Sequence, residues 1–105
     1  MVRVVKHQAN NRLFDYEFVD FDYWEDFDVL STILINHMGS NIKERLDGIY
    51  SRFLKLEKEG HLFTLIYHED TGNSICPTSN EQTHLLFIED LANKMLPLIN
   101  ESVNN

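Results

Sequence analysis

The side chains with which this 105-residue chain could do chemistry are five histidines, one cysteine and seventeen carboxylates. The histidines, His7, His37, His61, His68 and His84, are scattered. No two have the i, i+4 spacing that sets a pair of imidazoles on one helix face for zinc, and no second cysteine completes a ligand set. His68-Glu69-Asp70 is the one local cluster of ligand or acid–base types. Neighbouring strand residues point to opposite faces, so an exposed polar turn is the plainer reading. Nucleophilic catalysis needs a serine or cysteine beside a base. The chain has no Gly-x-Ser-x-Gly elbow, and Cys76, next to Pro77, reads as a small buried apolar residue. Gly39, Gly48, Gly60 and Gly72 each sit at a plausible turn and do not gather into a phosphate loop. The expectation is a protein without catalytic residues, metal or cofactor.

The unusual chemistry lies in residues 14–28. Seven acids (Asp15, Glu17, Asp20, Asp22, Glu25, Asp26, Asp28) interleave there with seven aromatics (Phe14, Tyr16, Phe18, Phe21, Tyr23, Trp24, Phe27), and residues 13–42 hold no Lys or Arg. Ordinary amphipathicity would bury the aromatics and leave the acids in water, where Glu25, Asp26 and Asp28 oppose the positive end of a helix dipole. The alternative is a surface for a basic partner, with carboxylates steering the encounter and aromatic anchors fixing it. The candidate partner-binding residues are Asp15, Glu17, Asp20, Asp22, Tyr23, Trp24, Glu25 and Asp28, extended by the loop pair Glu69 and Asp70. Charge reversal of Asp20, Glu25 and Asp28 together is expected to leave the fold intact.

Periodicity supplies the elements that must position these residues. Residues 2–6 and 13–19 are rich in β-branched and aromatic types and flank Ala9-Asn10-Asn11, which reads as a hairpin. Asp22 and Glu25 resemble a capping pair, and Tyr23, Phe27, Leu30, Leu34 and Met38 form a helical stripe over residues 23–38, stopped by Gly39. Residues 41–60 are ambiguous. Ile42, Leu46, Ile49, Phe53 and Leu56 fit a helix, but Asp47-Gly48 suits a hairpin turn with positive φ and favours strands over residues 42–46 and 49–57. Residues 61–68 are apolar on both faces, as in a central strand covered on two sides, and residues 74–77 form a short strand after the turn Asp70-Thr71-Gly72-Asn73. Ser79 and Gln82 have capping-box spacing before the stripe Leu85, Ile88, Ala92, Met95 and Ile99, which reads as a helix over residues 81–99 with its last turn disturbed by Pro97 and fraying beyond. The pattern implies one α+β domain over residues 1–105, an antiparallel β-sheet meander packed by two α-helices.

A net charge of −8 disfavours direct contact with nucleic acid, because phosphate binding needs a basic footprint. The longest apolar runs are far short of the roughly 20 residues that cross a bilayer, the opening residues lack a secretory core, and a lone cysteine suits a reducing cytoplasm. A monomer or weak dimer is expected.

Ile42-Lys43-Glu44-Arg45-Leu46-Asp47-Gly48, Ser51-Arg52, Lys58-Glu59-Gly60, Thr64-Leu65-Ile66-Tyr67 and Gly72-Asn73 together resemble small bacterial immunity proteins of contact-dependent growth inhibition and related polymorphic toxin systems. That resemblance adds weight to strands over residues 42–57. It implies a non-enzymatic cytoplasmic inhibitor that binds a cognate toxin domain, often a nuclease and so commonly basic, and covers its active site. Two other readings stand beside it: an adaptor with a peptide or small-molecule pocket, and a small enzyme whose groups converge only in three dimensions.

Overall fold

A computed structural model describes residues 1–8 and 13–104. Six strands form one antiparallel sheet: β1 (Arg3–Gln8), β2 (Phe14–Val19), β3 (Asn41–Asp47), β4 (Ser51–Lys58), β5 (His61–His68) and β6 (Gly72–Pro77). Across the sheet they run β1-β2-β6-β5-β4-β3, so the meander from β3 returns towards the first hairpin and its last strand docks beside β2. Helix α1 (Trp24–Thr32), which continues into a π-helical turn at Ile33–His37, carries the chain from β2 to the far edge, and α2 (Gln82–Asn104) closes the fold. This is the α+β arrangement that the periodicity implies. The expected turn at Ala9-Asn10-Asn11 lies outside the described residues.

Strand alternation selects the buried face. Tyr16 and Phe18, Leu54 and Leu56, Phe63 and Leu65, and Ile75 point to one side and meet Phe27, Leu30, Ile33 and Leu34 from the first helical segment and Ile88, Ala92, Met95 and Ile99 from α2. Each of these side chains larger than Ala92 contributes roughly 1.5–3 kcal/mol by leaving water. Both helices lie against that one side. Strand β5 is therefore central but not covered on two sides: its alternate residues face outward, and Leu62 is exposed. The apolar run in β5 marks a strand but does not bring cover to its second face.

Local chemistry fixes the turns. Glu59 and Gly60 adopt φ values of 51° and 82°, the two positive values that let a two-residue loop join β4 to β5 with the right twist. The preceding hairpin differs from expectation: neither Asp47 nor Gly48 is left-handed, and the chain reverses over Gly48, Ile49 and Tyr50, with Gly48 N–H donating to Ser51 O at 2.8 Å. A three-residue connection removes the need for positive φ at the dipeptide. At the start of α1 the cap is one residue later than Asp22–Glu25 suggests. Asp26 accepts from the Tyr23 N–H at 3.0 Å, and Tyr23 itself is exposed, outside the apolar stripe. The helix ends with Met38 N–H donating to Ile33 O, Ser40 N–H to Leu34 O, and Gly39 at φ 69°, while Lys58 Nζ donates to the Met38 carbonyl.

Helix α2 carries its expected stripe inward but does not open on a Ser79–Gln82 capping box. Ser79 Oγ instead accepts from the Glu81 N–H two residues on. Nor does Pro97 end it. The ring lies on the exposed side, and the helix continues past it to Asn100, one turn further on, which is clasped to the residue before β1: Val2 N–H donates to its Oδ1 at 2.9 Å, and its Nδ2 donates to Val2 O.

Two of the polar contacts that join the layers make stability depend on charge. Arg52 on β4 is buried, with its side chain 6% exposed, yet its guanidinium reaches Asp28 of α1 at 2.9 Å, Asp47 of β3 at 3.2 Å and the Trp24 carbonyl at 3.1 Å, lying over the Trp24 and Phe27 rings. A desolvated cation without carboxylates would be strongly unfavourable. The hydrogen bond from Arg52 holds the Asp28 carboxyl below its usual range. Asp28 is therefore not a free surface acid, and its charge reversal cannot be expected to leave the fold intact. Asp28→Asn should lower stability by about 1–2 kcal/mol in a denaturant titration, kept modest because Asp28 is itself well hydrated, whereas Glu25→Gln should change it by less than about 0.5 kcal/mol.

The second contact pairs His61 of β5 with His84 of α2, Nδ1 to Nδ1 at 2.8 Å, with Phe87 stacked on His61. Thr78 N–H points at His84 Nε2 at 3.2 Å, so Nε2 accepts and the single ring proton of His84 sits on Nδ1, donated to His61. A proton added to either ring breaks a bond. Burial and the neighbouring His61 lower the pKa of His84 from 6.5, with Glu81 opposing. A folded pKa below the unfolded one means that the unfolded chain binds more protons once the pH falls below about 6.5, so stability declines on that side and is level above it. Denaturant midpoints should fall between about pH 7.5 and 5.5 in the native chain and fall less across that window in His84→Gln.

Candidate functional site: an acidic and aromatic end of the sheet

The β2–α1 connection, the β3–β4 turn and the β5–β6 turn all lie at one end of the sheet, where β2, β3 and β5 finish. The β2 chain leaves its ladder at Asp20, left-handed at φ 69°, a conformation that a short polar side chain tolerates. Phe21 then turns inward and is buried. Asn73, wholly buried on β6, fixes this connection: its Nδ2 donates to Phe21 O at 2.9 Å and to Tyr23 O at 3.2 Å. Gly72 lets the two loops touch. A Cβ at that position would stand 2.7 Å from Asp22 Oδ1, and its φ of 78° already favours glycine.

Five of the sequence-predicted residues, Asp15, Glu17, Asp22, Glu69 and Asp70, consequently line one hollow of about 550 Å³, with His7 as the nearest group that can become a cation. Among the described residues no lysine or arginine lines it. His7 Nε2 lies 3.0 Å from Asp15 Oδ1 and 3.2 Å from Glu17 Oε1 but is aligned as a hydrogen bond only to Glu17, so Asp15 Oδ1 is left without an aligned donor. Burial raises the pKa of Asp15 against the opposing pull of His7. Burial also raises that of Asp22, reinforced by Glu17, Asp20 and Asp26. Such crowding of negative charge is relieved when a cation enters.

The remaining predicted residues divide. Tyr23 is 73% exposed beside the hollow and free to anchor a partner. Trp24 is only partly exposed; it packs edge-on against Tyr67 and under Arg52, so its ring supports the fold as much as it faces outward. Asp20 and Glu25 are exposed at the same end without lining the hollow, and Asp28 is turned to Arg52. Two features escaped sequence reasoning. Ile49 and Tyr50, exposed at 83% and 61%, add apolar area at this end, next to Glu69, whose N–H donates to Tyr50 O. Asn73 and Arg52 position the surface, though nothing in their local sequence marks them. The only available signal was the exposure implied by a turn at Gly48.

Other candidate chemistry is not assembled. Cys76 is half-buried, and burial together with Asp15 pushes its thiol up to about 12, far from a reactive thiolate. Among the described residues no three His, Cys, Asp or Glu side chains are grouped to hold a metal, and no helix is long and apolar enough to cross a membrane. Comparison with protein-family models, with curated proteins and with solved structures finds no match for this chain. Gly72→Ala should disturb the hollow by pushing Asp22 away, lowering stability by about 1–2 kcal/mol and shifting the Asp22 carboxyl resonance in an NMR titration, while Gly39→Ala, which meets no side chain, should leave that resonance in place.

Proposed function

We propose that the chain is a non-enzymatic binding protein whose acidic and aromatic end takes a basic protein partner, and that the partner is a toxin domain, most naturally a nuclease, neutralised by stoichiometric binding in the cytoplasm. The observation that carries this reading is the hollow lined by Asp15, Glu17, Asp22, Glu69 and Asp70, with exposed Tyr23 alongside. Carboxylates crowded in a concave site favour the entry of lysine or arginine side chains, and an exposed tyrosine supplies area at low entropic cost. A nuclease surface that grips phosphates is basic, so it is complementary to this end. The likeness of residues 42–74 to immunity proteins points the same way.

A small-molecule adaptor is the second reading, favoured by the groove of about 530 Å³ between α1 and α2, floored by Val29, Ile33 and Leu98. The two are separated by where substitutions act.

The reading expects a toxin gene beside this one, and the test is protection of cells that express its toxin domain. Asp22→Lys with Glu69→Lys should abolish protection while circular dichroism shows a folded chain, and the purified pair should associate about tenfold more slowly with a weaker salt dependence. Protection that survives this double variant but is lost with Val29→Lys in the helical groove would move the interface away from the hollow. Absence of protection by the native chain would end the toxin reading.

A further inference from the structure

The far edge of the sheet is unlike the rest of the molecule. All of residues 41–50 are exposed, and β3 places large apolar side chains in water on both of its faces: Ile42 towards the helix side, Leu46 towards the open side beside Phe53, with Ile49 following in the turn. A strand in this state presents unpaired N–H and C=O groups next to exposed apolar area, which is a template for another strand.

The ladder shows which groups are free. Gly48 N–H is bonded to Ser51 O, and bonded and non-bonded pairs alternate in an antiparallel ladder. The pairs Asp47–Arg52 and Arg45–Leu54 are therefore the non-bonded ones, and the backbone groups of Asp47 and Arg45 face outward. The irregularity between Ile42 and Glu44 interrupts this pattern on the other side, confining regular pairing to residues 44–47.

We propose that the occupant of this edge is a second copy of the chain, joined antiparallel by β3 to β3 about a two-fold axis at Leu46. In a two-fold pair that keeps both helix layers on one side of a continuous sheet, one residue must oppose its own copy. Centring on Lys43, Glu44, Arg45 or Asp47 sets like charges face to face, which is unfavourable. Leu46 is the uncharged choice within the regular stretch of residues 44–47. It places Leu46 against Leu46 on the open side and Arg45 against Asp47 of the second copy, twice by symmetry, and those are the residues whose backbone groups face outward. Among the described residues Arg45 has no ion-pair partner within 4 Å, though its charge acts on Asp28, and the Asp47 carboxylate, held by Arg52 through Oδ1, stays 39% exposed. One strand pair buries little area, so the dimer is concentration-dependent and exchanges with monomer. This proposal requires no toxin partner and stands or falls apart from the preceding one.

Sedimentation equilibrium of the native chain over a concentration series from micromolar to millimolar tests it. The expected result is a mass rising from 12.4 kDa towards twice that value. Leu46→Lys, which puts two ammonium groups at the axis, and Arg45→Glu, which sets carboxylates against Asp47, should each weaken association by about tenfold or more, whereas Lys94→Ala on α2 should leave it unchanged. Circular dichroism shows whether each variant is folded. If Arg45→Glu does not fold, the milder Arg45→Gln should still weaken association by removing the paired charge. A constant mass of one chain across the whole range overturns the proposal, and so does a dimer indifferent to both Leu46→Lys and the Arg45 substitutions.

Discussion

The layout of this molecule hangs on a positive charge that the sheet keeps out of water. Arg52 sits on the buried face of β4, where alternation would otherwise place a third aliphatic residue beside Leu54 and Leu56. A guanidinium there is tolerable only if carboxylates and carbonyls surround it. Asp28 supplies one from α1, Asp47 one from the end of β3, and the Trp24 carbonyl completes the set. The first turn of α1 is thus tied to the sheet by direction-specific bonds where an apolar contact could slide. Everything at this end of the molecule takes its position from that tie.

Asn73 performs the matching task one strand pair away. Its amide holds two carbonyls of the segment between β2 and α1, so that segment, bearing Asp20, Asp22 and Tyr23, is pinned at both ends of a short span. Like charges in a loop normally spread apart in water. Here they are kept together by buried groups beneath them, and burial, with neighbouring carboxylates adding to it, raises the pKa values of Asp15 and Asp22. Surface electrostatics at this end is a product of interior hydrogen bonding.

This division explains what could be read from the residues in order. Strands, helices and most turns follow from patterns a few residues long: Phe14-Asp15-Tyr16-Glu17-Phe18 alternates, Leu85 to Ile99 recurs at helical spacing, and Glu59-Gly60 is a hairpin dipeptide. Five of the ten residues suggested as partner-binding meet in one hollow because two turns that carry acids share an end of the sheet beside the outward-facing acids of β2. What local pattern cannot carry is partnership across distance. Asp28 looks like any helix-start acid until Arg52, 24 positions away, is found beneath it, and Asn73 looks like a turn residue until it reaches Phe21, 52 positions back. The coverage of β5 fails for the same reason: an apolar strand does not say how many helices are available to cover it.

The clasp between Asn100 and Val2 closes the structure over a separation of 98 residues. No local folding event can make it. The first strand must be paired and the last helix docked before the amide can find its partner, and because closing so long a loop is entropically slow, this bond belongs to the final stage of assembly. Its behaviour in the native state follows. Exchange of the Val2 amide hydrogen reports on the joint opening of both extremities, and its protection measures how cooperatively the outermost strand and the closing helix are held to everything between them.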